Sequence, residues 1–211
     1  MIKMHNRKYY AAAGVIIFAI SLIALIAYII APRGRPVPLP DTEMLFSVVQ
    51  DGDIICRLGD RFWSTYFKDV SPEDKRFSHI GIIRISNGVI TVIHAEGDTG
   101  HGRDFVNEVP LLDFIKIARA IGIYRLNEIN RNELSNMALE YIGVPFDWQF
   151  DMYDSLKLYC TELLYVLLQR IKPELELKTV YVRELKKEII PLDAITNSEH
   201  FLEIYYMSAL K

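Results

Sequence analysis

The chain has 211 residues and carries 24 Lys and Arg against 27 Asp and Glu, a formal charge of −3. That balance argues against a nucleic-acid binder, which gathers a basic excess on one face, and the length leaves room for one globular domain and little more. Two cysteines, Cys56 and Cys160, exclude a disulfide scaffold and a four-cysteine zinc site.

Ala11 to Ala31 is an uninterrupted apolar stretch whose only polar side chains are Ser21 and Tyr28. A helix of that length spans about 30 Å, the thickness of a bilayer core, and predicts a transmembrane anchor over 11–31. A cleaved signal peptide has a shorter apolar region and a small-residue cleavage site, which Ile29-Ile30-Ala31 does not offer. Lys3, Arg7 and Lys8 precede the span and Arg33 and Arg35 follow it. This bias sets residues 1–10 as a short cytoplasmic tail and the rest outside. The chain is then a single-pass protein of the inner (cytoplasmic) membrane, held in the lipid bilayer by its N-terminal helix, with its domain on the periplasmic or extracellular side. Residues 32–40, with four prolines, form an extended linker, and 41–211 form the domain.

Within the domain, Gly52-Asp53 opens a strand over 54–58, and a polar loop with aromatics runs to Arg76. Residues 77–85 and 89–96 are two strands joined by Asn87-Gly88, the strongest short hairpin signal in the chain. Residues 97–102 are a turn or loop, 110–120 a short helix and 121–126 a strand. Asn130 or Asn132 caps a helix that ends near Gly143, with Glu133 supporting the first. Residues 145–159 are aromatic-rich and irregular. Residues 161–171 are apolar almost all round, which predicts a central buried helix. The remainder offers a short helical piece, Pro191 and a final strand around 201–207. The fold class is α+β, with a small antiparallel sheet packed on helices.

If Asn87 and Gly88 form a two-residue turn, residues whose numbers sum to 175 pair across the hairpin. His79 then faces Glu96, Gly81 faces His94, and alternation places all four on one face with His79 and His94 as diagonal neighbours. Gly81 leaves room there for an imidazole or a substrate. Cys160 precedes the most buried helix, where the positive end of the helix dipole favours a thiolate nucleophile. A cysteine, a histidine base and a polar residue orienting that histidine are the parts of a triad for acyl transfer. Backbone N–H groups at Cys160 and the first helical turn supply part of an oxyanion hole.

The ordered set Gly52-Asp53-Ile54-Ile55, Phe77-Ser78-His79-Ile80-Gly81-Ile82, Val92-Ile93-His94-Ala95 and Tyr159-Cys160-Thr161-Glu162-Leu163 resembles the YiiX/YebB-like branch of the NlpC/P60 superfamily. These are cysteine hydrolases of circularly permuted papain-like fold, and the likeness runs from about residue 45 to 207. It implies Cys160 as nucleophile, His79 as base and His94 as the third residue, where close relatives carry glutamate. The pairing arithmetic makes Glu96 the nearer neighbour of His79, so Glu96 stands as the alternative orienter. Asp53, Gly81 and Tyr159, which sit in the same motifs, are candidate substrate contacts. The resemblance implies no cofactor and no metal. It suggests an amide substrate, in a peptide or in a cell-wall (peptidoglycan) stem peptide. A lipid acyl hydrolase or acyltransferase and a catalytically silent peptide- or lipid-binding module are the alternatives.

Plainer roles compete for several of these side chains. Cys56 has no motif around it and is expected in the core. His101, in a glycine-rich loop, is expected at the surface. Asp147, Asp151 and Asp154 either recognise an amine or serve as turn and cap residues, the commoner use. Trp63, Tyr66, Phe146, Trp148 and Phe150 are either substrate walls or core, again the commoner use. A zinc site made from His79, His94, Glu96 and Cys160 lacks the ligand spacing of known motifs.

Overall fold

The computed structural model describes residues 18–23, 42–59, 62–97, 104–154 and 156–208. Residues 18–23 are helical, have exposed side chains and belong to a unit separate from the rest. The tail 1–10, the linker 32–40 and the expected span 11–31, apart from those six residues, lie outside the described residues. Among the described residues no helix is long and apolar enough to cross a membrane.

The domain is built on a six-stranded antiparallel sheet. Its strands are β1 (Ile54–Leu58), β2 (His79–Ser86), β3 (Val89–Glu96), β4 (Phe105–Pro110), β5 (Ala120–Leu126) and β8 (Phe201–Ser208), in the order β4-β3-β2-β1-β5-β8. A separate pair, β6 (Val180–Val182) and β7 (Lys187–Ile189), lies between the last helices. The helices are α1 (Thr42–Val48), α2 (Phe62–Val70), α3 (Leu111–Ile115), α4 (Arg131–Ala138), α5 (Cys160–Ile171) and α6 (Asp193–Thr196).

Strand alternation divides the apolar residues between two faces. Ile54, Cys56, Ile80, Ile82, Ile93 and Ala95 join the core against α5, while Ile55, Ile83, Val92, Ile121 and Ile123 join a second core with Leu111 and Phe114 of α3. Both faces are covered, so the central strands read as continuous apolar runs rather than alternating ones. Helix α5 buries one face, Leu163, Leu164, Leu167 and Leu168, and leaves Tyr165, Val166 and Gln169 half-buried. It is therefore amphipathic at this edge of the core rather than enclosed all round.

The hairpin forms as its turn residues dictate. Asn87 and Gly88 have φ of 52° and 76°, the left-handed pair that a two-residue turn requires. Ser86 pairs with Val89 and Ile82 with Ile93, the expected register. Asn130 caps α4 by accepting from the Glu133 N–H at 3.3 Å. Three elements differ from expectation. The loop before Arg76 contains α2, a strand β4 forms over Phe105–Pro110, and the helix expected over 110–120 shortens to α3. Strand β4 begins beyond the glycine-rich segment and carries Asn107 and Glu108, which mask its apolar pattern.

Candidate active site

The β2–β3 pairing stops at Ile82–Ile93, whereas β3 stays paired with β4 as far as Glu96–Phe105. The hairpin is open at the end that carries His79 and His94. Ile83 spends its N–H and carbonyl on Asp53 and Gly52, on the β1 side. Alternation therefore turns the Ile80 N–H toward β3, which does not take it. The Cys160 thiol lies there, where the Ile80 N–H and those of Cys160 and Thr161 favour its thiolate.

Two flanking residues hold Cys160 in place. The Tyr159 hydroxyl accepts from the Ile190 N–H at 3.1 Å, and the Thr161 hydroxyl donates to the Ile190 carbonyl at 2.7 Å. One backbone unit thus clamps both sides of Cys160. Glu162 turns back to accept from the Tyr159 N–H at 3.2 Å and closes the first turn of α5.

The histidines occupy the opened strand ends. His79 Nε2 and His94 Nδ1 are 2.9 Å apart. His94 is buried, and its Nε2 lies 3.9 Å from Glu96 Oε2. Glu96 is ion-paired to Arg57, whose Nη2 donates to it at 2.8 Å while Nη1 donates to the Phe114 carbonyl at 2.7 Å. Phe114 is the platform of the site: His79 stacks on its ring at 5.7 Å, His94 meets it edge-on at 5.1 Å, and the Arg57 guanidinium lies 4.3 Å above it.

Burial favours the neutral forms of both Cys160 and His79. Burial pushes the Cys160 thiol up to about 11, a rise that the surrounding N–H groups and Arg57 only moderate. The expected thiolate preference of the helix terminus is present but outweighed by desolvation. Burial first, then the charges of Arg57 and His94, hold the His79 imidazole well below its ordinary value.

His79, His94 and Glu96 come together as the sequence suggested, and His94, not Glu96, is in contact with His79. The remaining candidates take other positions. A side chain on Gly81 would meet Val92 Cγ1 at 2.4 Å and His94 Cβ at 3.2 Å, so its space is already filled by the packed hairpin. Asp53 is fully buried in an ion pair with Arg125 at 2.7 Å. The Tyr159 hydroxyl is spent on Ile190. Asp147 accepts from the N–H groups of Gln149 and Asp151, Asp151 accepts from the Tyr153 N–H and also pairs with Lys187, and Asp154 accepts from the Leu156 N–H, so each serves a local turn. Phe146 and Phe150 are core, while Trp148 is exposed at the rim. Cys56 is buried in the core beneath α5, and His101 lies outside the described residues. Among the described residues no three His, Cys, Asp or Glu are grouped to hold a metal ion.

Arg57, Phe114 and Ile190 were not legible as site residues. Only the alternation on β1, which puts Arg57 on the face of His79, pointed to one of them.

A cysteine at a helix N-terminus, following in sequence a hairpin that pairs two histidines, is the arrangement of a permuted papain-like cysteine hydrolase. Residues 48–204 match the family described as permuted papain-like amidase enzyme, YaeF/YiiX, C92 family, and the chain belongs to that family. Among solved structures, the chain is similar to yiiX from Escherichia coli O157:H7, described as a metalloprotein, with a TM-score of 0.63 and 17% identity. The match covers 76% of this chain and 99% of that one and shows the shared fold. No curated protein matches the chain.

Proposed function

We propose that this chain is a membrane-anchored cysteine amidase that cleaves an amide in a peptide or cell-wall stem peptide, with Cys160 as nucleophile, His79 as acid–base and His94 as its orienting partner. The observation that carries this reading is the 2.9 Å contact of His79 Nε2 with His94 Nδ1 at the strand end where Cys160 lies. That contact commits Nε2 and leaves Nδ1 of His79 for the nucleophile. The tautomers follow from the network: His79 Nε2–H donates to His94 Nδ1, and His94 carries its proton on Nε2, toward the Glu96 carboxylate.

The thiol and imidazole begin neutral, so proton transfer accompanies attack. Nδ1 of His79 takes the thiol proton as sulfur bonds to the amide carbon, and the carbonyl electrons move to oxygen. Backbone N–H groups at the start of α5 stabilise that oxyanion. His79 returns the proton to the leaving nitrogen as the C–N bond breaks, giving a thioester. It then removes a proton from water, and hydrolysis releases a carboxylic acid and the thiol. Glu96 acts one step further out, on the distal nitrogen of His94.

The test is hydrolysis of amide-linked peptides and muropeptides by the full chain. Cys160→Ala is expected to abolish it, and His79→Ala to lower kcat/KM by about 10²–10⁴. His94→Ala should lower it far more than Glu96→Gln. Hydrolysis that survives Cys160→Ala would overturn the reading. Faster transfer to an added amine than to water would reassign the site to acyl transfer. Anchoring and orientation are tested with reporters active on only one side of the membrane, and activity confined to the cytoplasmic side would reverse the proposed placement.

A further inference from the structure

Arg57 stands on β1 in register with His79 on β2, and Glu96 is on β3, the strand beyond. β1 and β3 are two strand spacings apart, about 9.6 Å, and the Arg57–Glu96 ion pair closes that width at 2.8 Å. Arg57 is 6% exposed, and Glu96 and the Phe114 carbonyl receive its buried charge. Both histidine rings rest on the Phe114 ring that Arg57 covers.

We propose that Arg57 is a positioning residue for the histidine pair: by engaging Glu96 it leaves His94 as the partner of His79. The proposal rests on the reading of His79 as the acid–base. Continued by three residues beyond Ile82–Ile93, the hairpin register sets Glu96 opposite His79. A carboxylate released there competes with His94 for Nε2 and draws a proton onto His79. Arg57 opposes both effects. Its charge acts on His79 after burial, and on Cys160 it favours the thiolate, so one side chain lowers both groups. Among the described residues, the charged and titratable groups acting on His79 are Arg57 from β1 and His94 from β3, with Glu96 of β3 next to both of them, and Cys160 at the start of α5 feels the same Arg57 charge. On the α3 side, Asp113 and Lys116 pair with each other in solvent.

The experiment is an NMR titration of the His79 and His94 rings in the full chain, assigned with His79→Ala and His94→Ala. Arg57→Gln is expected to raise the His79 midpoint by about one pH unit or more, roughly tenfold in proton affinity. Arg57→Lys, which keeps the charge, should restore most of that shift. Glu96→Gln, an isosteric change, should lower the midpoint, because Arg57 is then uncompensated. An unchanged midpoint in folded Arg57→Gln, or a rise in Glu96→Gln, overturns the proposal. If Arg57→Gln does not fold, Glu96→Gln decides alone. The titration uses no substrate. A chain that cleaves no amide would sink the amidase reading and leave this result standing.

Discussion

Cys160 sets the chemical problem of this site. A thiol pushed up to about 11 holds about one thiolate in 10⁴ molecules at pH 7. His79, held low, is a weak base for the remainder. In the proposed mechanism the resting site therefore holds a neutral thiol and a neutral imidazole, and charge separates when a substrate carbonyl draws the sulfur. Alkylation by iodoacetamide reads this directly. In a Cys56→Ala background the rate at Cys160 is expected to climb about tenfold per pH unit from pH 7 toward 11. A plateau below pH 7 would mean that the ion pair already exists at rest. At this scale Cys160 and both histidines were visible in the sequence, because each sits in a short motif on a regular element. Their protonation was not, because it depends on how deeply the fold buries them and on an arginine from another strand.

The hairpin and the start of α5 are the elements that aim these residues. Gly81 lets β2 and β3 close around Val92, and a methyl group there would lie 2.4 Å from a branched, fully buried side chain. Gly81→Ala is expected to cost about 1–3 kcal/mol in chemical denaturation, as overpacked cores do. Pairing it with Val92→Ala, which vacates the contact, should restore part of the loss; a cost below about 0.5 kcal/mol in the single variant would show that the hairpin relaxes freely. Tyr159→Phe removes the acceptor for the Ile190 N–H and strands a buried donor. It is expected to cost about 1–3 kcal/mol. It should also slow amide cleavage, because the clamp on Cys160 loses one arm, and unchanged stability would show that another acceptor replaces the hydroxyl. The hairpin was legible because Asn87-Gly88 fixes both turn and register locally. The clamp was not: Ile190 lies about thirty residues from Tyr159, and nothing in its own neighbourhood marks it. Helix α2 was hidden in the same way, since its polar and aromatic residues resemble a loop until the core beside them is known.

For the whole molecule, the buried titratable groups shape stability against pH from two directions. His79 is held below its ordinary value of 6.5, so the unfolded chain binds a proton that the folded one refuses. Its contribution is present above about pH 6.5 and is lost as the pH falls through its depressed folded value. Glu162 behaves oppositely. Burial pushes it up to about 8 from an ordinary 4.5, with Asp147, Asp154 and Asp151 adding to the rise and the Tyr159 N–H resisting it. The folded chain keeps that proton when the unfolded chain has released it, so its contribution is complete below pH 4.5 and is lost as the pH rises through 8. The same sign holds for Cys160 between its ordinary 9.0 and about 11. These groups together place the stability maximum in the mildly acid range, with a descending limb from pH 5 to 8 that belongs to Glu162. Glu162→Gln retains an acceptor for Tyr159 and never ionises. Denaturant titrations at pH 5, 6, 7 and 8 should show that limb flattened and the variant more stable than the natural chain at pH 8. Parallel curves would place the titrating group elsewhere. A second outcome follows from position. Glu162 lies two residues after Cys160 on the turn that orients it, so a carboxylate forming there works against the Cys160 thiolate. In Glu162→Gln, Cys160 should therefore alkylate faster above pH 8 than in the natural chain.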